Sequence, residues 1–555
     1  MTSTTPPSST HYLIIGGGTA GLVIANRLSE NPDVNVLVLE AGPDRSSDTE
    51  IQDPDAWHGL VGSEMDWNMK FAPQAGLNNR EPEHPAGKVL GGSSVINGTV
   101  YVPPSPAGID AWAKLGNTNW KWETLELYLQ KSVNVSTPDV EVCRAAGVEV
   151  EGFGEKGPIQ VTYPVLEEEK NHPLLRAWGE AFQGEGYEFT KELLVQKRSV
   201  GTRAYAATVD ARSGLRSGAD RRFGVGAAKR ENVTILTGVK VRRILFEEGS
   251  DLVVATGVEV ALGDGEVVTI KATREVILSA GVFHTPQLLE LSGIGDREVL
   301  SSLGIPVVVE NSGVGRNLQN HLMSVLPCPL NKVPELEDVA SGVKALAFVR
   351  LDEEVQADLA ARFLSGEQGP DKVLRGILES PNEASAFILL GILPGATVGI
   401  LVLIPCFPAS RGNIHITSTD PDVPPKIDAC FFSHPLDVEL MARHVQKLQQ
   451  IPALPALQHF FQPPAAPTDL ETTKALLHET AQIAHHACGT AAMLPREAGG
   501  VVDQELLVYG TKNLRVVDAS VFPLTPHGNP VATVYAVAER AADIIKAGSS
   551  VHSSR

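Results

Sequence analysis

The segment that decides the fold is HYLIIGGGTAGL, residues 11–22 of the 555-residue chain. Its apolar start, His11–Ile15, predicts a buried strand, and glycines follow at once in the spacing Gly-x-Gly-x-x-Gly. The first glycine permits a tight turn, the second lets the backbone approach a pyrophosphate, and the third allows a helix to pack closely on the strand. Phosphates then lie at the helix N-terminus, where unpaired N–H groups favour negative charge. The segment therefore predicts a dinucleotide site at Gly16, Gly18, Thr19, Ala20 and Gly21.

A second apolar run, Val34–Leu39, follows the helix and ends in Glu40. Strand, glycine turn, helix and strand within about 30 residues predict a βαβ unit with parallel strands. Glu40 stands 19 residues after Gly21, where its carboxylate is placed to accept hydrogen bonds from a ribose diol. The carboxylate would repel a 2′-phosphate, which disfavours NADP. The turn alone leaves both NAD and FAD open as ligands.

The composition is that of an ordinary soluble globular protein, with 43% hydrophobic and 20% charged residues. The chain exceeds the roughly 250–300 residues that one hydrophobic core supports, so we expect two domains. A formal net charge of −20 disfavours binding to nucleic acid or to an anionic membrane. Five cysteines without a Cys-x-x-Cys pair predict reduced, mostly buried thiols. No cluster of His, Asp or Glu has metal-ligand spacing, so we expect no metal site.

Glycine-rich segments lie toward both ends of the chain and are sparse in its middle third, about residues 326–481. This distribution predicts a nucleotide-binding domain assembled from separated segments, with a substrate lobe inserted between them. Strand-like patterns cover Val233–Ile270, and a helical pattern covers the final Val531–Lys546. Ala384–Cys406 carries no charge over a length that could span a membrane. Because Pro394-Gly395 divides it, two buried strands joined by a turn are predicted instead.

The N-terminus shows no basic start and no long apolar stretch ahead of the first strand, so no signal peptide is visible. A cytoplasmic protein is therefore expected, and reduced thiols agree with that location. A secreted protein whose signal had been removed would have the same sequence. Asn134-Val-Ser and Asn232-Val-Thr would then be glycosylation candidates.

Further segments carry a family resemblance, in one order from about residue 11 to 547. Gly87–Asp110, which opens with GKVLGGSSVINGTVY, satisfies the first signature of the glucose–methanol–choline (GMC) oxidoreductases throughout. Gly281–Gly295 resembles the second signature, with Val282 where the family usually places a smaller residue. Also similar to the family are Gly313–His321 and the closing segment, from Asn513–Ser520 through Asn529-Pro530 to Asp543.

The resemblance implies an α/β fold in which a Rossmann-like FAD-binding domain is assembled from separated segments and an α+β substrate-binding domain is inserted. We expect residues 10–165, 200–325 and 482–550 to form the FAD-binding domain. Residues 166–199 and 326–481 are expected to form the substrate-binding domain.

The same resemblance implies the cofactor contacts. The glycine turn holds the FAD pyrophosphate, Glu40 the adenosine ribose, and the backbone of Val241 the adenine. Some family members link FAD covalently through a histidine that corresponds to Ile96 here, so non-covalent FAD is predicted. Glycines in the first signature let the backbone approach a flat ring. The residues expected at the flavin are Gly91, Gly92, Ser93 and Asn97, with Asp518, Ala519 and Pro530 near its far side.

A catalytic pair also follows from the resemblance. In the family the catalytic histidine stands three residues before the glycine of a Gly-Thr pair, which selects His486 from HHACGT, and the partner position holds Asn529. A histidine with an ordinary pKa of about 6.5 takes a hydroxyl proton near neutral pH, whereas an amide hydrogen-bonds the oxygen without acting as a base. His485 is expected to be structural and Cys488 to be packing. His527 is a second candidate contributor.

The resemblance implies an enzyme that oxidises a CH–OH group by hydride transfer to flavin N5. We expect a small or aromatic alcohol substrate, O2 or another oxidant as electron acceptor, and a place in a biosynthetic pathway. The sequence leaves oxidase and dehydrogenase open. An alternative also stays open, because some family members are lyases or cyclases with a redox-silent flavin, which would use His486 for acid–base chemistry.

Overall fold

The computed structural model describes residues 6–154, 156–247, 252–262, 265–337, 339–395 and 397–552. Two sheets, of seven and six strands, dominate this part of the chain. Their strands are Ser9–Ile15 (β1), Val36–Leu39 (β2), Gly201–Ala204 (β3), Val233–Leu236 (β4), Lys240–Glu247 (β5), Val254–Ala261 (β6), Val267–Leu278 (β7), Leu322–Pro329 (β8), Gly342–Val349 (β9), Ala386–Ile392 (β10), Val398–Pro405 (β11), Gln482–Ile483 (β12) and Leu514–Val516 (β13).

Helices cover both sheets, and short helical turns and two-stranded pairs complete the described structure. The helices of six or more residues are Thr19–Leu28 (α1), Pro106–Lys114 (α2), Trp122–Ser132 (α3), Val140–Ala146 (α4), His172–Gly184 (α5), Gly281–Leu291 (α6), Arg297–Ser302 (α7), Glu353–Phe363 (α8), Gly369–Glu379 (α9), Pro435–Leu448 (α10), Leu470–Thr480 (α11) and Val531–His552 (α12).

The first sheet has the strand order β4-β2-β1-β7-β6-β5, and β13 also pairs with β7. Its centre is parallel, with Leu13 of β1 opposite Leu37 of β2 and Ile14 opposite Ile277 of β7. These residues are buried, which is typical of a parallel sheet covered by helices on both faces. On one side, β5, β6 and the first half of β7 continue the sheet as antiparallel neighbours. The βαβ unit predicted from the glycine turn is confirmed, with β1 beginning two residues earlier than expected.

Two distant parts of the chain meet beside this sheet. Helix α1, which follows the glycine turn, packs against α12 near the end of the chain. Arg27 of α1 lies 2.6 Å from Oε1 of Glu539 on α12, and Lys131 of α3 lies 3.3 Å from Oε2 of the same carboxylate. The Glu539 side chain is fully buried, so the two cations compensate a charge that would otherwise be costly to remove from water. The cofactor-type segments from both ends thus form one structural unit.

The second sheet is antiparallel, with the order β12-β8-β11-β10-β9-β3. Its strands β10 and β11 are the pair predicted within Ala384–Cys406. Ala386 lies opposite Pro405, Ile392 lies opposite Gly399, and a turn at Pro394-Gly395 joins them. Among the described residues, no helix combines the length and apolar character needed to cross a bilayer.

Sheet membership differs from the expected domain boundaries at three strands. Strands β3 and β12 lie in stretches assigned to the FAD-binding domain, and β8 crosses the boundary at residue 325, yet all three pair within the second sheet. Edge strands of two and four residues gave no sequence pattern of their own, because their pairing partners are distant in sequence. The two-domain division remains a proposal.

Candidate active site

A cavity of about 1030 Å³ is lined by residues of both sheets and of the loops between them. Most of the residues expected at the cofactor and the reacting atoms lie in its wall. Gly21, Gly91 and His527 are expected site residues that do not line it. Those that do are Gly16, Gly18, Thr19, Ala20, Glu40, Gly92, Ser93, Asn97, Val241, His486, Asp518, Ala519, Asn529 and Pro530.

The glycine turn between β1 and α1 has the geometry that its sequence predicts. Gly16 has a φ of +102°, and a Cβ there would lie 2.3 Å from the carbonyl oxygen of Ser279. A Cβ on Gly21 would lie 2.0 Å from the carbonyl oxygen of Gly16. Gly21 therefore acts through close packing of the helix on the turn rather than through contact with the cavity. Helix α1 begins at Thr19 without a side-chain cap, so its N–H groups stay available for phosphate oxygens.

Glu40 lies at the carboxyl end of β2 and is almost completely buried in the cavity wall. Its Oε2 accepts from the N–H of Gly17 and its Oε1 from the N–H of Gly42, each at 2.8 Å. Burial raises the pKa of Glu40 to about 7, against the lowering effect of these backbone donors. Each carboxylate oxygen has further acceptor capacity, which suits the hydroxyl groups of a ribose.

The first-signature segment lies directly against the glycine turn. The N–H of Gly91 donates to the carbonyl of Gly17 at 2.8 Å, and the Ser94 hydroxyl donates to the carbonyl of Gly91 at 2.7 Å. Gly92, Ser93 and Asn97 then line the cavity beside the turn. Two motifs that are far apart in the sequence thus share one wall.

Asp518 joins the cavity to the start of helix α6. Its Oδ2 accepts from the N–H of Gly281 at 2.9 Å and from the Thr285 hydroxyl at 2.7 Å, while Oδ1 accepts from the N–H of Ser520. Burial raises the pKa of the Asp518 carboxyl, and these donors oppose that rise. The carboxylate fixes the N-terminus of α6 next to Ala519 and Pro530 of the closing segment, all within the same wall.

His486 and Asn529 form a direct pair in the cavity. The His486 Nε2 and the Asn529 Nδ2 lie 3.0 Å apart. His486 is buried, and burial lowers its pKa well below 6.5, with a smaller effect from the neighbouring histidines. The ring is therefore neutral at neutral pH and can accept a proton. Asn529 Oδ1 is buried and has no hydrogen-bond partner among the described residues.

The backbone that carries His486 is held by the Gly313–His321 segment. Gln319 and Cys488 exchange backbone hydrogen bonds at 2.9 Å, and the N–H of Ala484 donates to the carbonyl of His321. The Asn320 Oδ1 accepts from the N–H of His486 at 2.8 Å. This short antiparallel contact continues the pairing of β8 with β12 and fixes where the ring lies.

His321 contacts His486 directly, which the sequence did not indicate. Its Nδ1 lies 3.0 Å from the His486 Nδ1, and its Nε2 lies 2.8 Å from the carbonyl oxygen of Cys406. The imidazole is fully buried, and burial lowers its pKa to about 4. In the sequence, His321 is marked by its position at the end of Gly313–His321, a segment that resembles the family.

The other two histidines near the pair have different positions. His485 has a φ of +61°, lines the cavity and packs edge-on against His84, with 5.3 Å between ring centroids. His527 is fully buried outside the cavity wall, where its Nε2 lies 3.1 Å from the carbonyl oxygen of Pro103 and its ring packs on Phe348. We therefore assign His527 no contact with a substrate.

The second sheet supplies an aliphatic part of the wall. Its contribution was not predicted residue by residue, because the middle third of the chain carries no motif and the strands meet only in the folded sheet. The side chains are Met323 and Val325 from β8, Leu389 from β10, and Ile400, Val402 and Ile404 from β11.

The wall fits a flavin dinucleotide. At one part of the cavity a glycine turn and a helix N-terminus suit a pyrophosphate, and Glu40 beside them suits a ribose. The buried Ser279 hydroxyl and the Asn529 carbonyl oxygen lack partners among the described residues, so polar groups of a ligand can satisfy them. Together with the His486–Asn529 pair, the fold and site define a flavin-dependent oxidoreductase.

Sequence models of the GMC oxidoreductase family match residues 10–323 and 408–538. The chain belongs to this family and is an FAD-dependent oxidoreductase. It is 33% identical over 576 residues to the GMC oxidoreductase family protein Mala s 12 of Malassezia sympodialis, covering 96% of this chain and 92% of that protein.

Solved structures of the family have the same fold. An FAD-dependent oxidoreductase from Chaetomium thermophilum superimposes with a TM-score of 0.87 at 30% identity, over 97% of this chain and 99% of that one. A formate oxidase gives 0.84 at 27% identity, over 98% and 99%. A fungal aryl-alcohol oxidase gives 0.82 at 27% identity, over 97% and 99%. The names of the last two proteins give chemically different donors, formate and an aryl alcohol.

Proposed function

We propose that the enzyme oxidises the CH–OH group of a small or aromatic alcohol to a carbonyl, with His486 as the base and Asn529 positioning the hydroxyl oxygen. The observation that carries this proposal is the 3.0 Å contact between His486 Nε2 and Asn529 Nδ2 in the wall of the cavity. A substrate hydroxyl that displaces this direct contact can donate to the histidine nitrogen and accept from the amide. Bound FAD supplies the acceptor for the hydride that leaves the carbon.

Burial sets the protonation state of His486 before the substrate binds. Its pKa lies well below 6.5, so the ring is unprotonated when the alcohol binds. A proton that moves from the hydroxyl to Nε2 leaves negative charge on the oxygen. The Asn529 N–H stabilises that charge as it develops, as oxyanion-binding donors do in other enzymes. Asn529 has no basic group, so the proton goes to the histidine.

The aliphatic wall supports an apolar substrate. Val325, Leu389 and Val402 line the cavity, and an apolar substrate packed against them would exclude water from the reacting groups. Exclusion of water strengthens the hydrogen bonds made by His486 and Asn529. Similarity to an aryl-alcohol oxidase supports an aromatic alcohol as the substrate. Because the protein is also similar to a formate oxidase, formate must be tested as a donor beside the alcohols.

FAD attachment and location form part of the same proposal. Ile96 lines the cavity with an aliphatic side chain that cannot bond a flavin, which supports non-covalent FAD. The five cysteines are unpaired and four of them are buried, which supports a cytoplasmic protein acting in a biosynthetic pathway. The electron acceptor is O2 or another oxidant.

The test is the visible spectrum of the flavin under anaerobic conditions, recorded before and after adding primary aliphatic and aromatic alcohols and formate. We expect an alcohol to bleach the oxidised flavin, and the rate of recolouring in air then separates an oxidase from a dehydrogenase. Formate as the only effective donor would contradict the proposal. So would a bound flavin that no donor bleaches, which would favour redox-silent acid–base chemistry.

A matched pair of variants assigns the base. His486→Asn should slow bleaching by about 10²- to 10⁴-fold, the usual contribution of general base catalysis. His485→Asn makes the same chemical change at the neighbouring cavity residue, and asparagine tolerates its left-handed backbone. We expect that control to retain most of the rate. Equal losses in both variants would contradict the assignment.

A further inference from the structure

A continuous chain of hydrogen bonds runs through two histidines behind the catalytic pair. It begins at the carbonyl oxygen of Cys406, 2.8 Å from His321 Nε2. It continues from His321 Nδ1 to His486 Nδ1 at 3.0 Å, and ends with His486 Nε2 and Asn529 Nδ2 at 3.0 Å. The two rings are perpendicular, with 5.2 Å between centroids.

The first bond fixes the direction of every other bond in the chain. A backbone carbonyl only accepts, so the proton between it and His321 belongs to the histidine Nε2. A neutral imidazole carries one N–H, so His321 Nδ1 is an acceptor. The proton between the two Nδ1 atoms must then belong to His486. Its Nε2 is left with a lone pair that faces Asn529 and the cavity.

This deduction requires that the rings are neutral, and their surroundings make them so. Burial lowers the pKa of His321 to about 4 and that of His486 well below 6.5. The other titratable groups that act on the pair include His485 and His84 beside His486, and His527 beside His321. Burial lowers their pKa values to about 4, about 3 and about 3. Asp66 acts on His485 with an opposing, smaller effect.

We propose that His321 is a positioning residue, which holds His486 in the tautomer with its proton on Nδ1, so that the Nε2 lone pair faces Asn529 and the cavity and can act as the base. Its effect on catalysis rests on the proposed function, whereas the tautomer itself does not. The same series of hydrogen bonds orients the Asn529 amide. Because His486 Nε2 accepts, the Nδ2 group of Asn529 must face it, and Oδ1 faces away.

The chain of hydrogen bonds also stabilises the imidazolium that forms when His486 accepts the proton. When His486 Nε2 takes the hydroxyl proton, the ring becomes an imidazolium whose Nδ1–H still donates to neutral His321. Donation from a charged group is stronger than from a neutral one. No second proton moves, since the Cys406 carbonyl cannot take the proton of His321. These hydrogen bonds therefore act by keeping each proton on one nitrogen atom.

The tautomer is measured on the oxidised, substrate-free holoenzyme by NMR of ¹⁵N-labelled histidine. The chain has 15 histidines, so the His486 signals are assigned by their loss in the His486→Asn variant. We expect a protonated Nδ1 and an unprotonated Nε2. A protonated Nε2 on His486 would overturn the proposal, whether or not any alcohol reduces the flavin. A correct tautomer without alcohol oxidation would overturn the proposed function alone.

Two variants of His321 separate positioning from general support of the fold. His321→Gln keeps an oxygen that accepts from His486 and an amide that donates to Cys406, so we expect retention of the tautomer and a rate within about 10-fold of the parent. His321→Leu removes both, so we expect loss of the single tautomer and a further fall of about 10- to 100-fold, smaller than the roughly 10²- to 10⁴-fold that general base catalysis supplies.

The pH profile provides a readout that a structural role would not change. Loss of the acceptor in His321→Leu destabilises the His486 imidazolium, so the acidic limb of the flavin reduction rate should move to lower pH while the plateau falls. A lowered plateau with an unmoved limb, or equal rates in the Gln and Leu variants, would overturn the proposal. If the Leu variant fails to bind flavin, the wild-type tautomer and the Gln variant still decide.

Discussion

Glu40→Gln tests the cofactor site, because it removes the buried carboxylate that is proposed to bind the FAD ribose. The parent carboxyl is buried, and its pKa is raised from 4.5 to about 7. That rise corresponds to roughly 3 kcal/mol by which burial disfavours the ionised form. Ribose hydroxyl groups donate to the carboxylate and recover part of this cost. Glutamine keeps the size of the side chain and removes the charge.

The magnitude follows from the hydrogen bonds that lose their charged acceptor. A hydrogen bond to a charged group contributes about 1.5–3 kcal/mol, so the Kd of FAD should rise roughly 10- to 100-fold. FAD favours the ionised carboxylate, so wild-type affinity should increase as pH rises through about 7. Below that pH the protonated carboxyl resembles glutamine. The two proteins should therefore differ most near pH 8 and least near pH 5.5.

Stability of the apoprotein should show the opposite sign. A raised pKa in the fold means that Glu40 contributes stability below its unfolded pKa of about 4.5, and this stability is lost as pH rises through about 7. Glu40→Gln removes that loss. Thermal unfolding of the apoprotein at several pH values should show a smaller decline in the variant.

The affinity is measured by titrating apoprotein with FAD and following flavin fluorescence across this pH range. Glu30→Gln is the matched control, because Glu30 is an exposed carboxylate at the end of α1 that pairs with Arg27 and Lys546. Its FAD affinity should stay unchanged. Parallel pH curves for wild type and Glu40→Gln, or equal affinities near pH 8, would refute the role of Glu40.

Three other predictions concern the fold and the cofactor. Gly16→Ala should abolish FAD binding, because the new Cβ would lie 2.3 Å from the Ser279 carbonyl oxygen and the residue has a φ of +102°. The flavin content of the purified variant measures this, and full flavin occupancy would contradict the prediction. Glu539→Gln leaves Arg27 without its buried partner and should lower the free energy of unfolding by about 3 kcal/mol, measured by denaturant titration; an unchanged midpoint would contradict the importance of the pair. Acid precipitation should release the flavin into solution because Ile96 forms no bond to it, and yellow protein in the pellet would show covalent attachment.

Local sequence patterns predicted the cofactor half of the site. The glycine spacing and its flanking apolar runs specify β1, α1 and β2 within one short segment, and the structure has them there. Pro394-Gly395 likewise predicted the turn between β10 and β11, since such a pair interrupts an apolar run whatever surrounds it. In both cases the deciding interactions are close in sequence.

The rest depends on contacts between distant residues. His321 and His486 are brought together by the pairing of β8 with β12 and by the short contact between Gln319 and Cys488. No local sequence pattern predicts a contact between residues so far apart in the sequence. The aliphatic wall has the same origin, because its side chains come from β8, β10 and β11, which meet only in the folded sheet. His527 shows the converse, since its nearness to Asn529 in sequence did not place it in the cavity.

The most direct test of alcohol oxidation at this site is anaerobic stopped-flow measurement of flavin bleaching by an effective primary alcohol and by the same alcohol deuterated at the reacting carbon. The account predicts a flavin that is reduced by the alcohol, more slowly when deuterium replaces the transferred hydrogen, and with the rate largely lost in His486→Asn. A flavin whose reduction is insensitive to deuterium and to His486, or a protein that binds no flavin after reconstitution, would contradict it.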